Sequence, residues 1–340
     1  MLIFDKTFDL KFFVQVFQGY ADGFSLAFLA LPQSMSEYIR SPLIRLMYEK
    51  LDHQNKHSNS NHDHWYDYRT EYVDSELRDK FIKSKQDEET CKFLENCYIK
   101  SDWLFTHFYH AIAKAVLTWF MTSTSINGLV GRGSMFVFSS AQFLRLLDVN
   151  DSFKWNSLLD LGAGDGNVTL KMAPYFKDIF VTEISPVMRW RLSKHGFTIL
   201  DVDSWELVNK ELNTPKIPSH FDVISCLNLL DRCTAPITLL KRINQALKPT
   251  TGILILGIVL PLKQYVETTR DQRPIEVLEI IDNELWEIQL SSLINNILIP
   301  ANFHVLRWTR LPYLCEGDFS KSFYYLNEIV LVLQTVTSSI

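Results

Sequence analysis

From Trp155 onward the chain alternates short apolar runs with segments of helical periodicity. Ser157–Leu161, Ile179–Thr182, Phe197–Leu200, Phe221–Leu227 and Gly252–Leu260 have the length and residue types of buried strands. Between the last two, Thr234–Leu247 carries Ile237, Leu240, Ile243 and Leu247 along one face, the spacing of an amphipathic helix. Short apolar strands separated by helices predict a mostly parallel sheet covered on both faces. A final helix near Leu285–Ile297 precedes two β-rich runs, Phe303–Thr309 and Phe323–Thr335, which are expected to close the sheet with one strand antiparallel. The expected fold class is α/β, with the sheet domain over residues 151–340.

Upstream the pattern changes. Ser101 or Asp102 reads as the N-cap of a helix on which Phe105, Phe108, Tyr109, Ile112, Val116 and Phe120 recur. Gly128, Gly131 and Gly133 then mark a stretch that needs unusual backbone angles or close approach. Residues 91–150 are therefore expected to form a helical N-terminal extension. Residues 32–90 are polar and hold His53, His57, His62 and His64. With no cysteine among them they read as a disordered linker rather than a metal site.

Residues 1–31 are apolar in two runs, around Phe12–Val14 and Phe24–Leu31, broken by Gln15, Gln18, Asp22 and Gly23. Neither run reaches the ~20 residues of a spanning helix. Lys6 and Lys11 are balanced by Asp5 and Asp9, so the basic start of a signal peptide is missing. A docked hydrophobic arm and a membrane-associating segment are the two readings.

Charge narrows the partners. The 34 Lys+Arg against 39 Asp+Glu give a net charge of −5, the wrong sign for a protein held by phosphate backbones, so no nucleic acid is expected. The five cysteines contain no Cys-x-x-Cys pair and read as reduced thiols of an intracellular protein.

The strongest chemical signal is Asp160-Leu161-Gly162-Ala163-Gly164-Asp165-Gly166, which follows a strand and opens a helix. Glycines there let the backbone approach a ligand that a Cβ would exclude. Glu183 ends the second strand, where an acid can accept both hydroxyls of a ribose. A nicotinamide enzyme would have its third glycine one residue later, to seat pyrophosphate on the helix N-terminus. Asp160 and Asp165 place negative charge at the loop instead, which suits the ammonium and sulfonium of S-adenosylmethionine. Asp203, after the third strand, is a candidate acceptor for the adenine amine, with a solvated loop acid as the alternative.

The fourth strand ends in Cys226-Leu227-Asn228-Leu229-Leu230-Asp231-Arg232. Ligands of open α/β sheets bind at the carboxyl ends of the strands, near the switch in strand order. Asn228 is thereby placed beside the methyl donor. Asp231 faces the same opening if a helical turn begins there. Asn228 is a neutral acceptor for a nucleophile's N–H, and Asp231 a carboxylate able to stabilise a cation forming on it. A helix-capping role for either is the structural alternative.

These residues resemble the DREV, or methyltransferase-like nine, family of protein-histidine N-pros-methyltransferases. The resemblance runs from about Asp102 to Val332 and rests on four blocks: Thr124–Phe138, Leu158–Gly166 with Glu183, Val223–Cys233 and Thr309–Asp318. Residues 1–90 show no match, and Asp203 stands where the family has Asn. The resemblance implies a seven-stranded, Rossmann-like methyltransferase fold with S-adenosylmethionine as cofactor. It implies protein substrates carrying His-x-His motifs, methylated on the ring nitrogen nearer the backbone. Asn228 and Asp231 are then the catalytic candidates; Asp160, Gly162, Gly164, Glu183, Asp203 and Asn228 the cofactor-binding ones; Tyr313 and Tyr324 the walls of a peptide groove. The endoplasmic reticulum or mitochondrion is the compartment it suggests. Another nitrogen acceptor, or a cofactor-binding module without activity, are the competing readings. His62-Asp63-His64 is itself a His-x-His sequence, which makes self-methylation of a flexible segment an expectation to test.

Overall fold

Alternation decides which way each strand's side chains point, and here both faces are apolar. On β2 (Trp155–Leu161) Leu158 joins one buried cluster and Leu159 the other. On β8 (Phe323–Thr335) Val330 and Val332 join the first, Leu331 and Leu333 the second. A sheet apolar on both faces must be covered on both.

The computed structural model describes residues 62–102, 133–205, 217–267, 269, 271–318 and 321–336, with Arg45, Tyr48, Lys50 and Asp52. It divides into two compact units, Met1–Ser60 with Gly317–Ser322, and Asn61–Glu316 with Phe323–Ile340. In the first, Tyr48 is buried and Asp318 N–H donates to Lys321 O at 2.9 Å, closing a turn. The second carries the sheet.

Its strands are β1 (Met135–Phe136), β2, β3 (Phe176–Thr182), β4 (Thr198–Leu200), β5 (Val223–Leu227), β6 (Ile253–Val259), β7 (Phe303–Glu316) and β8, in the order β1-β7-β8-β6-β5-β2-β3-β4. The block β6-β5-β2-β3-β4 is parallel. β8 runs antiparallel to both of its neighbours, as expected for one of the closing strands. The expected seven strands are eight, because Met135–Phe136 pairs antiparallel with Cys315 and Leu314 on the outer edge of β7. So short a strand has no period of its own in the sequence; only the edge it joins defines it. β7 also runs to Glu316, past the expected Thr309. Pro312 is tolerated because it lies between the stretches of outer edge that pair with other segments, where no N–H is needed.

After a single helical turn at Ser75–Arg78, the longer helices among the described residues are α1 (Glu88–Asp102), α2 (Ser140–Leu147), α3 (Asn167–Met172), α4 (Pro186–Lys194), α5 (Pro236–Ala246) and α6 (Trp286–Leu293), the last running into a π-helical turn, Ile294–Leu298. α5 starts at Pro236 because proline's fixed φ and missing N–H suit the first helical position. Leu240 and Ile243 of α5 cover one face of the sheet together with Leu290 and Leu293 of α6. Phe143 of α2 and Met172 of α3 cover the other. Ser139 begins α2 with a capping box, its side chain accepting from Gln142 N at 3.0 Å while Gln142 accepts from Ser139 N at 2.9 Å.

Two expectations upstream are corrected. Ser101 and Asp102 are not an N-cap; they already belong to α1, the last of its described residues, and its first turn is capped by Asp87 accepting from Thr90 N at 3.0 Å. Nor is the described part of the 32–90 linker disordered. Trp65 and Tyr66 are buried at 1% exposure, and Lys80 to Ile82 pair with Trp308 on the outer edge of β7. Arg69 Nη2 lies 2.9 Å from Glu287 of α6, a carboxylate that is itself buried. A few aromatic anchors in a polar segment suffice to dock it, and average composition hides them. His62 is buried too, stacked on Trp65 with centroids 3.9 Å apart and Nδ1 3.1 Å from Gln86 Oε1. Of the His-x-His sequence His62-Asp63-His64, His62 is therefore packed, whereas Asp63 and His64 are exposed on the 3-10 turn that it caps. The apolar segment 1–31, the helix expected over 105–120, and Gly128 and Gly131 lie outside the described residues. Among the described residues no helix is long and apolar enough to cross a membrane.

Candidate active site

The strand order reverses between β2 and β5, so their carboxyl ends splay the following loops apart. The β2 loop is the glycine run. Gly162, Gly164 and Gly166 have φ of +69°, +57° and +84°, which glycine adopts at least cost. A Cβ on Gly164 would meet only Met135 Cε, at 3.9 Å, so the loop has open space before it. A Cβ on Gly162 would lie 3.2 Å from Leu229 Cδ1, which brings the glycine loop against the loop after β5.

Asp160 does not face that space as an unpaired charge. It is buried, accepting from Thr169 Oγ1 at 2.5 Å and Ser225 Oγ at 2.7 Å. Burial pushes its carboxyl up to about 6 against those two hydrogen bonds, with the Glu183 charge adding. Asp160 thus ties β2 to β5 and to α3. Asp165 accepts from Asn167 N at 3.0 Å, closing the turn that leads into α3. Glu183 is buried and accepts from Gly164 N at 3.0 Å and Ser185 N at 2.8 Å, one bond on each oxygen. Each carboxylate oxygen has two lone pairs, so acceptor capacity remains for ribose hydroxyls. Ile184, next in sequence, is 65% exposed, an apolar surface beside that acid. Asp203 is exposed in the turn after β4, and the contact it makes with α5 is through its carbonyl, accepting from Arg242 Nη2 at 3.0 Å.

Beyond β5, Asn228 takes φ +53° and its N–H donates to Gly257 O of β6 at 2.9 Å. Leu229 O accepts from Arg232 N at 2.9 Å and Cys233 N at 3.0 Å, so the expected helical turn forms. Asp231 is 3% exposed, with Oδ2 3.1 Å from Arg232 Nε and Oδ1 buried without a hydrogen bond. Burial raises its carboxyl above the usual range, with Arg232 pulling the other way.

Glu328 is not among the site residues expected from the sequence. It sits on β8 opposite Val259 and Leu311, fully buried, and its Oε1 accepts from Asn228 Nδ2 at 2.8 Å. Burial pushes it up to about 8, the Asn228 hydrogen bond holds it down, and Asp231 adds to the rise. Its Oε2 has no hydrogen bond, and neither has Asn228 Oδ1. Asn228, Asp231 and Glu328 thus each carry a buried oxygen without a hydrogen bond, and Asn228 is bonded to Glu328 through its other end. The signal was present: Glu328 is the one charged residue within Phe323–Thr335.

Tyr313 projects on the same face of the β7–β8 pair as Glu328, by the register Leu311↔Glu328 and Tyr313↔Leu326. Its hydroxyl meets Met135 Sδ, so Met135 links it to the glycine loop. Tyr324 pairs with Cys315 farther along that face and is half-buried. A separate cavity of about 600 Å³ lies between α1, β1 and α3; it includes Met135 and Asn167 but not Gly162, Glu183, Asn228 or Asp231.

A β-order of 4-3-2-5-6-8-7, an open glycine loop and an acid at the end of β3 define a domain of the methyltransferase type. The chain belongs to the DREV methyltransferase family, whose model matches residues 65–335. That match begins well before Asp102, where the resemblance in sequence becomes visible. Similar solved structures include the cyclase SpnF, 16% identical over 58% of this chain and 80% of that chain, TM-score 0.37. They also include the N-methyltransferase NodS from Bradyrhizobium japonicum in complex with S-adenosyl-l-homocysteine, 16% identical over 58% and 85%, TM-score 0.35. The protein is a methyltransferase whose cofactor is S-adenosylmethionine.

Proposed function

We propose that this methyltransferase acts on protein histidine, methylating the pros (Nδ1) nitrogen in His-x-His segments. One observation carries the reading: Asn228 and Asp231, three residues apart in the turn after β5, each keep a buried oxygen without a hydrogen bond. Buried acceptors are normally satisfied, and two exceptions at the carboxyl end of β5, where ligands of such sheets bind, fit donors supplied by a substrate.

The glycine loop, Glu183 and Ile184 are the residues that would hold S-adenosylmethionine, which supplies an electrophilic methyl when bound. The chain's own contribution is to place the acceptor. A neutral imidazole has one N–H and one lone pair. Asp231 Oδ1, accepting from Nε2–H, fixes the tautomer whose lone pair is on Nδ1. The same carboxylate stabilises the imidazolium that N-methylation produces, as a triad carboxylate does for its histidine. Asn228 Oδ1 is the neutral acceptor that helps place the segment, and Tyr313 and Tyr324 offer aromatic walls along the β7–β8 face. The net charge of −5 suits such a peptide and disfavours a polyanionic substrate.

The test is transfer of labelled methyl to a His-x-His peptide, with the label mapped to Nδ1 or Nε2. Label on a peptide with both histidines replaced, or on RNA but not on peptide, would sink the proposal.

A further inference from the structure

We infer that Glu328 is a positioning residue: it fixes the Asn228 amide so that Oδ1, not Nδ2, is the end left to meet an N–H of the acceptor segment. The inference rests on the histidine reading for its substrate but not for its geometry.

An Asn side chain carries an acceptor at one end and a donor at the other, and nothing intrinsic chooses which is presented. Glu328 makes the choice here, because Oε1 accepts from Nδ2 at 2.8 Å. The arrangement is held on both sides. Asn228 is set by its backbone, with φ +53° and its N–H on Gly257 O. Glu328 is set by β8, between Val259 of β6 and Leu311 of β7. Gly257 makes the approach feasible, since a Cβ there would lie 2.5 Å from Glu328 Oε1 and 3.0 Å from Leu227 Cδ2. A fully buried carboxyl in a strand with no other charge is costly to keep. Fixing one functional amide is a use that offsets that cost. Without Glu328 the amide can rotate and present Nδ2, and a donor facing the substrate's donor repels it. Both forms of the carboxyl can do the job, because the protonated acid still has an acceptor oxygen for Nδ2.

The experiment compares E328Q and E328M with the wild type in two readouts. The first is kinetic, with a His-x-His peptide and with S-adenosylmethionine affinity measured separately by calorimetry. E328Q keeps a carbonyl for Nδ2 and should stay within about tenfold of wild-type kcat/KM, whereas E328M should lose about 10–100-fold, the scale of a buried hydrogen bond left unmade. Cofactor affinity should be unchanged in both. The second needs no substrate: hydrogen exchange of the Asn228 side-chain amide by NMR should be slow in the wild type and E328Q and fast in E328M. If E328M does not fold, G257A gives the same test, since its added methyl pushes the carboxyl off Asn228. Slow exchange in a folded E328M or G257A, or E328Q falling as far as E328M, overturns the inference. A wild type that binds cofactor but leaves the peptide unlabelled overturns the histidine reading alone, and the exchange measurement then still decides the role of Glu328.

Discussion

Asn228 and Glu328 are a hundred positions apart in the chain, yet Asn228 Nδ2 donates to Glu328 Oε1 at 2.8 Å. One ends β5 and the other is central to β8, and β6 between them supplies the glycine that lets the side chains meet. The burial of Glu328 has a consequence for stability, one that the contact with Asn228 opposes. Glu328 is pushed up to about 8 in the fold, above the ordinary value near ~4.3, so between those values the native state holds a proton that the unfolded chain has released. Its contribution to stability is therefore full below ~4.3 and is lost as pH rises toward about 8. E328Q removes the titration. Its melting temperature relative to wild type should climb as pH goes from 5 to 9, and a difference constant over that range would contradict the assignment. Asp160 titrates with the same sign up to about 6, but it does so in both proteins and cancels.

Gly164→Val should abolish cofactor binding and keep the fold. A side chain there meets nothing closer than Met135 Cε at 3.9 Å, so it enters the open space before the loop. The φ of +57° adds strain of about 1–3 kcal/mol. Calorimetry with S-adenosylmethionine checks it, and near-normal affinity in a folded variant would move the site elsewhere. Asp160→Lys is the poorer test, because Asp160 is buried between Thr169 and Ser225 and the change would disrupt the sheet itself.

Asp231→Asn preserves shape and removes charge. Turnover on a histidine peptide should fall by ~10²–10³, the usual loss for one electrostatic group at a reacting centre. Cofactor affinity should change little. Equal losses in both would make Asp231 part of the cofactor site instead.

Activity on the peptide should decline as pH falls below the acceptor's own pKa, near ~6.5, because a protonated imidazole has no lone pair to offer. A rate flat from about pH 5 to about pH 8 would indicate a different nucleophile.

Trp65→Ala should lower stability by about 3–5 kcal/mol, the cost of emptying a large buried aromatic site. The ring stacks on His62 and lies 5.0 Å from Tyr325, well away from Gly164 in sequence and contacts, so cofactor affinity should hold. A melting temperature unchanged from wild type would restore the linker reading. In the same samples, labelled cofactor alone should leave His62 unlabelled, because its ring is buried and its Nδ1 is engaged by Gln86.

What the sequence determined by itself is local. Strand positions followed from apolar runs, α5 from its period and Pro236, and the glycine loop with Glu183 from their order along the chain. The placement of Asn228 and Asp231 just past β5 was also legible, because it depends only on strand succession. Tertiary structure decided what depends on distant partners. The sequence shows Asp160 as a charge beside the glycine loop, but not that Thr169 and Ser225 hold it between β2, β5 and α3. The 62–90 segment reads as a linker until Trp65, Tyr66 and Arg69 meet β7, β8 and Glu287. Met135–Phe136 is a strand only because β7 has an open edge there. Glu328 stands out in its apolar run, but its role as the partner of Asn228 follows only from the antiparallel placement of β8 against β6. Local periodicity is set by neighbours in the chain, whereas burial, charge pairing and amide orientation are set by whatever the fold brings alongside.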